Sequence, residues 1–531
     1  MEKKKVKLFS AIALVALALL VVGATYAYFQ NQYGAASNAD VKVTTYTTDV
    51  LTFETGSNIS ITAGQDDFAS GKGNKTGSTF ARATLQANNK TNTTTANYYM
   101  YLNIENNTFT YTNTGTPELI LQVVDKTSGN PVTSITGLDY VTVTDGKNTS
   151  ISGFDITNKK GLITLFSNKE ISASPKTIEE YTVSITLVNH SFDQNNNTGK
   201  NLNGELIIQK EKMITSVSDV VKNGDNLVTA IQNLSTKSKP SYTGLYHHDS
   251  NLTNGAEDNS YRYAGANPNN FVCFGSDEAA CPTENLYRII GVIDGKVKLI
   301  SADGATTDML GTNEGYVSTY QATWGNLSLY YKGNGDLTKI GLYKWNSTGT
   351  NTWSTSTTNT TNLNTNYLTY LDSKNTKWKT MIADTTWYVG GMTYANGVLS
   401  NAKTAYDYEV GANKDATTTV TSKIGMMYVS DYYYAASEDY WTLPGYNDSN
   451  GSDYTTAIND NWLYTGLYEW TISRISGDSV GAFSVFDGGS VDGGGVDASD
   501  GYVLCPSFNL TSLVKYESGE GTAVNPIRIN L

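Results

Sequence analysis

The chain has 531 residues and a net charge of −13, and charged residues make up only 16% of it, well under the roughly 25% of an average soluble domain. An acidic balance of this size, with a pI near 4.8, argues against nucleic acid and against anionic membrane surfaces, both of which recruit Lys and Arg. Asn, Thr, Ser, Gly and 37 Tyr stand in place of the missing charges; that chemistry favours strands and turns, and the length allows two or three domains with full cores.

The chain opens with Lys3, Lys4, Lys5 and Lys7, followed by an uncharged apolar stretch from Leu8 to Phe29, LFSAIALVALALLVVGATYAYF. Under the positive-inside rule the lysines stay in the cytoplasm and everything after Tyr28 is delivered outside, to the medium or the cell surface. Residues 1–29 are therefore a signal peptide or a membrane anchor. The dense part, Leu8 to Val22, has signal-peptide length, while the whole stretch just reaches the about 20 residues needed to span a bilayer. The small residues Thr25 and Ala27 suit cleavage between Ala27 and Tyr28, which is the expected outcome. Membrane contact is expected through this segment alone.

Residues 30–210 read as a β-sandwich. In NYYMYLNIENN, Tyr98, Met100, Leu102 and Ile104 alternate with Tyr99, Tyr101, Asn103 and Glu105; in EEYTVSITLV, Tyr181, Val183, Ile185 and Leu187 alternate with Thr and Ser. Such alternation buries one face and wets the other. Further strands are expected at Val41 to Phe53, Leu119 to Val124 and Gly204 to Gln209, separated by turns such as SGNP and NNNTGKN. No long helical period interrupts them, so an antiparallel sandwich or jelly roll follows. The signal ending GATYAYFQNQ, the strand DVLTF, the stretch leading to YYMYLNIENN and the late EEYTVSITL resemble the TasA and camelysin family of Gram-positive surface and biofilm-matrix proteins. That resemblance implies a jelly roll, export with signal processing, and in some members self-assembly.

Residues 211–260 suggest a helix and linker. Asp225 can cap a helix whose Leu227, Ala230, Ile231 and Leu234 share a face, after which LSTKSKPSYTGLYHHDSNLTNGAEDNS loses periodicity. His247 and His248 lie there without the further ligands a metal would need.

From about residue 261 to 531, Trp, Tyr and Gly become frequent. ENLYRIIGVIDGKVKLISADG holds two strands joined by Asp294-Gly295, a type I′ hairpin signal. TTWYVGGMTY, KIGMMYVSDYYYAA, YWTLPGYN, LYEWTISR, FSVFDGGSV and CPSFNLTS follow in order. Together they resemble a C-type-lectin-like, sulfatase-modifying-factor-like domain of gut bacterial surface proteins, which implies a mixed α+β fold. Where that family has V-R-P, this chain has Leu504-Cys505-Pro506, so any role of that guanidinium is not carried over. The paired copper-binding cysteines of the formylglycine-generating enzymes are also unmatched.

No G-x-S-x-G, H-E-x-x-H, P-loop or G-x-G-x-x-G before a helix is present, so no catalytic residue and no cofactor is assigned; a surface enzyme is the third-ranked reading. Asn447 to Asp453 and Asp487 to Gly501, with Asp487, Asp492, Asp497 and Asp500, offer oxygens that would suit calcium, yet neither fits the EF-hand, and polar turns explain them better. Cys273 and Cys281 are close enough in FVCFGSDEAACP to close a disulfide loop, leaving Cys505 alone. The Trp residues of WTLP, NWL and EWTIS are expected in the core. Tyr432, Tyr433 and Tyr434 are the expected ligand surface, since three consecutive tyrosines cannot all face one way on a strand. The fold class is thus mainly β: a signal or transmembrane helix, a jelly roll and a lectin-like domain. The function expected is a non-enzymatic surface or matrix protein with glycan or protein partners, the alternative being a carbohydrate-binding adhesin.

Overall fold

The computed structural model describes residues 48–69, 72–88, 92–113, 115–325, 331–445 and 454–531. The Leu8 to Phe29 stretch, the Ala27–Tyr28 junction and the start of the first expected strand lie outside the described residues. The chain divides into two compact units, Met1–Met213 and Ile214–Leu531, and is mainly β, with several antiparallel sheets.

In the first unit two sheets share one core. One runs Val50–Thr55, Lys75–Gln86, Lys176–Leu187, Leu119–Asp125, Ser150–Asp155, Tyr140–Thr144; the other runs Ile59–Thr62, Asn201–Gln209, Thr94–Asn107, Gly161–Ala173. Because side chains alternate along a strand, the faces are chosen by sequence pattern. Tyr98, Met100, Leu102 and Ile104 from one sheet meet Tyr181, Val183, Ile185 and Leu187 from the other, as the alternation predicts. The strands at Lys75–Gln86 and Gly161–Ala173 escaped the sequence reading, since their Thr, Lys and Asn content masks the period.

The second unit starts earlier than the sequence suggested. A helix spans Leu227–Lys237, and its N-cap is Asn226, whose side chain accepts from Thr229 N at 3.2 Å, rather than Asp225. The expected face, Leu227, Ala230, Ile231 and Leu234, is buried in the core of this unit. Residues 211–260 are therefore no linker: from Ile214 on they belong to the second unit, and Leu245–His248 pairs with Ser260–Tyr263 as an edge of its larger sheet. Polar neighbours hid that strand.

The larger sheet orders Leu245–His248, Ser260–Tyr263, Leu286–Ile293, Lys296–Ser301, Ser507–Asn509 and Ile424–Gly425, with Phe271–Cys273 beside Leu286–Ile293. A second sheet orders Tyr316–Thr319, Gly341–Tyr343, Tyr502–Val503, Glu469–Arg474, Gly481–Val485 and Val491–Gly495. At the expected hairpin, Asp294 and Gly295 both take positive φ, 49° and 68°, as a type I′ turn requires. Cys273 is bonded to Cys281, and Cys505 is free and buried. Trp441, Trp462 and Trp470 lie in the core.

Candidate binding site

The short helix Thr307–Leu310 ends at Gly311, and across from it lie the last turn of Thr358–Tyr367 and the helix Leu368–Lys374. Between them opens a depression of about 360 Å³ lined by Asp308, Met309, Gly311, Asn313, Asn366, Thr369, Tyr370 and Ser373. That volume falls in the range of roughly 300–1,000 Å³ typical of small-molecule sites.

The wall is held by side chains that bond to backbone. Asn366 Nδ2 donates to Leu310 O at 2.6 Å and to Asn313 Oδ1 at 3.0 Å. One turn back, Asn362 Nδ2 donates to Leu310 O at 3.2 Å and Glu314 O at 3.4 Å. Thr369 Oγ1 donates to Thr365 O at 2.8 Å and Ser373 Oγ to Tyr370 O at 2.7 Å. Both hydroxyl protons are thereby engaged, and the oxygens remain as acceptors. The carboxylate of Asp308 adds a further acceptor, in the favourable first turn of its helix. Tyr370 supplies an aromatic face, with Lys374 Nζ 5.2 Å from the ring centroid. Burial, and then the Glu284 carboxylate, raise the Tyr370 pKa, so its hydroxyl stays a donor near neutrality.

Thr358–Tyr367, sequence TNTTNLNTNY, is wound as a π-helix, a form rare beyond single turns and frequent at functional sites. Asn and Thr have poor helix propensity because their side chains compete for backbone partners, and here that competition is used. Asn359 Nδ2 donates to Trp353 O at 3.1 Å, Thr365 Oγ1 to Thr360 O at 2.7 Å, and Asn364 accepts from Ile424 N at 3.0 Å while donating to Ile424 O at 2.9 Å. The sequence reading missed this segment. An Asn/Thr run without apolar period carries no local signal that separates it from a loop.

Gly311 has φ 77° and ψ 168°, a region occupied almost exclusively by glycine. A Cβ there would stand 2.6 Å from Asn366 Nδ2 and 3.0 Å from Asn313 Oδ1. Gly311→Ala is expected to destabilise the unit by about 1–3 kcal/mol and to displace Asn366. Thermal melting checks the first effect, and an unchanged midpoint would contradict it.

The tyrosines assigned from sequence to a ligand surface are elsewhere. Tyr432, Tyr433 and Tyr434 lie on the helix Val429–Tyr434 and are 0%, 2% and 1% exposed, which corrects the expectation of an exposed strand. Residues on a helical turn fan out around its axis, so each hydroxyl reaches a different loop: Gly489 O at 3.0 Å, Gly397 O at 2.7 Å and Asn254 O at 3.2 Å. These residues clasp the fold. His248 is buried too, its Nδ1 accepting from Ala256 N at 3.0 Å, and burial pulls its pKa down to about 3, leaving a neutral ring.

Of the two Asp-rich loops, residues 447–453 lie outside the described residues. In the other, Asp492 Oδ1 accepts from Tyr394 Oη at 2.6 Å and from Gly493 N at 2.7 Å. Among the described residues, no three His, Cys, Asp or Glu groups gather as a metal site. Cys505 lines a cavity of about 10 Å³ with Glu469 and Arg288.

Comparison with protein-family models, with curated proteins and with solved structures found no match. Among the described residues no helix is long and apolar enough to cross a membrane.

Proposed function

We propose that this chain is an exported, non-enzymatic surface or matrix protein in which a jelly-roll first unit supports a lectin-like second unit, and that the second unit binds neutral glycan in the depression around Tyr370. The observation that carries the reading is the lining of that depression: two asparagines, a threonine, a serine and an aspartate around one tyrosine ring. Sugar hydroxyls need paired donors and acceptors, and sugar C–H faces need an aromatic surface. Asp308 is the one charged side chain in that lining, and Lys374 stands over the Tyr370 ring. The pairing of hydroxyl partners with an aromatic ring favours the adhesin form of the reading. Export rests on the lysine-headed apolar stretch, with the mature chain starting at Tyr28. Self-assembly and protein partners belong to the same proposal through the matrix-protein resemblance alone.

A glycan array probed with the mature chain tests it. Binding to neutral oligosaccharides is expected, with a roughly two- to twelvefold loss in Tyr370→Ala, corresponding to the about 0.5–1.5 kcal/mol an aromatic contact contributes. A silent array would leave the scaffold reading and reject the glycan site.

A further inference from the structure

Lys296–Ser301 is an interior strand of the larger sheet, flanked by Leu286–Ile293 and Ser507–Asn509, yet it carries Lys298 between Val297 and Leu299. Lys298 is 4% exposed, and its Nζ stands 2.5 Å from Oδ2 of Asp431, itself 3% exposed. Among the described residues Asp431 is its one hydrogen-bond acceptor. Tyr428 and Trp387 present their rings to the ammonium, with centroids 4.7 and 5.7 Å from Nζ. Of the two other charged groups that act on Lys298, Arg262 shares the Asp431 carboxylate and Glu409 is engaged by backbone and a serine. Arg262 donates through Nη2 to Asp258 Oδ2 at 3.0 Å and through Nη1 to Asp431 Oδ1 at 3.3 Å. Glu409 accepts from Val429 N at 2.9 Å and Ser430 N at 2.8 Å, and from the Ser473 hydroxyl.

We propose that Lys298 and Asp431 condense into an intramolecular amide between Nζ and Cγ. The ammonium and carboxylate supply every atom. Two protons pass from Nζ to Oδ2, the nitrogen lone pair attacks Cγ, the Cγ–Oδ2 bond breaks, and one water leaves. One proton stays on the amide nitrogen, and no oxidant or cofactor takes part. Oδ1 becomes the amide carbonyl, where the Arg262 guanidinium already donates and offsets the negative charge that builds during attack.

Three features favour condensation over a standing ion pair. The two groups are held in contact by a strand and a helix, which gives an amine and a carboxyl a very high effective concentration. Burial pulls the Lys298 pKa down against the opposing pull of Asp431, raising the share of free amine. Joining the groups also removes two buried charges whose desolvation the fold otherwise bears, and the aromatic walls keep out the water that would reverse the step. The product ties two segments 133 residues apart.

Intact mass of the reduced, purified chain, measured against its observed N-terminus, decides the matter. Loss of one water, about 18 Da, is expected, with a tryptic digest that lacks cleavage after Lys298 and contains a branched peptide joining it to Asp431. Lys298→Arg keeps the charge and cannot form the amide, so it is expected at full mass. A wild-type chain at full mass and cut after Lys298 overturns the proposal. So does a loss of 18 Da that persists in Lys298→Arg, which would assign the water to a succinimide at one of the Asp-Gly pairs.

Discussion

Replacing Glu469 with glutamine is expected to flatten a fall in stability that is itself expected of the wild-type second unit between pH 7 and 8. Glu469 lies in the Glu469–Arg474 strand, 3% exposed. Burial pushes its pKa from 4.5 up to about 8, with the nearby Asp303 adding to the rise and the Cys505 thiol opposing it. In the unfolded chain the same group ionises near 4.5. Between those values the folded state binds the extra proton, so stability falls as pH rises through the window and levels beyond it. A tenfold difference in proton affinity between the folded and unfolded states corresponds to about 1.4 kcal/mol, which makes this a decline of a few kcal/mol. Glu409 acts in the same direction, but its pKa is raised only to about 7, again by burial. The larger part of the fall above pH 7 therefore belongs to Glu469. Thermal melts of both proteins from pH 5 to 9 read it directly, and parallel curves would sink the argument.

Arg288→Lys is expected to destabilise the same unit by about 3–5 kcal/mol although it keeps the charge. The guanidinium donates from Nε to Asn270 Oδ1 at 2.7 Å, from Nη1 to Trp462 O at 3.3 Å, and from Nη2 to Pro268 O at 3.1 Å and Asn267 Oδ1 at 3.2 Å. It also packs on Phe271 and Trp462, 4.2 and 4.7 Å from the ring centroids. An ammonium gathers its three donors on one atom and cannot reach acceptors spread around a planar fork. Acceptors left buried and unpaired account for most of the loss. Urea unfolding should show a lower midpoint with an unchanged slope. A change below about 1 kcal/mol would mean that water or a neighbouring donor replaces the fork.

The candidate site was much less legible in the sequence than the framework around it. Asp308 to Asn313 and Asn366 to Ser373 lie in polar stretches without period, and their Asn and Thr residues look the same whether they bond to solvent or to a buried carbonyl. The three tyrosines at 432–434 misled for a related reason: an aromatic run announces area to be buried or displayed, and the helix that orients it is set by surroundings. Buried carboxylates such as Glu409, Asp431 and Glu469 likewise carry no mark in the chain that distinguishes them from surface acids.

What this sequence determined by itself is local. Alternation put Tyr98, Met100, Leu102 and Ile104 on one face; Asp294-Gly295 closed a hairpin; a period of three and four chose the buried side of Leu227–Lys237; nearness in the chain paired Cys273 with Cys281. Each follows from backbone geometry within about ten residues. The tertiary structure alone decided that Asn366 meets Leu310, that Ser507–Asn509 pairs with Lys296–Ser301, and that Lys298 faces Asp431. Those partners are set by which surfaces bury the most apolar area together, a property of the whole chain that no local pattern contains.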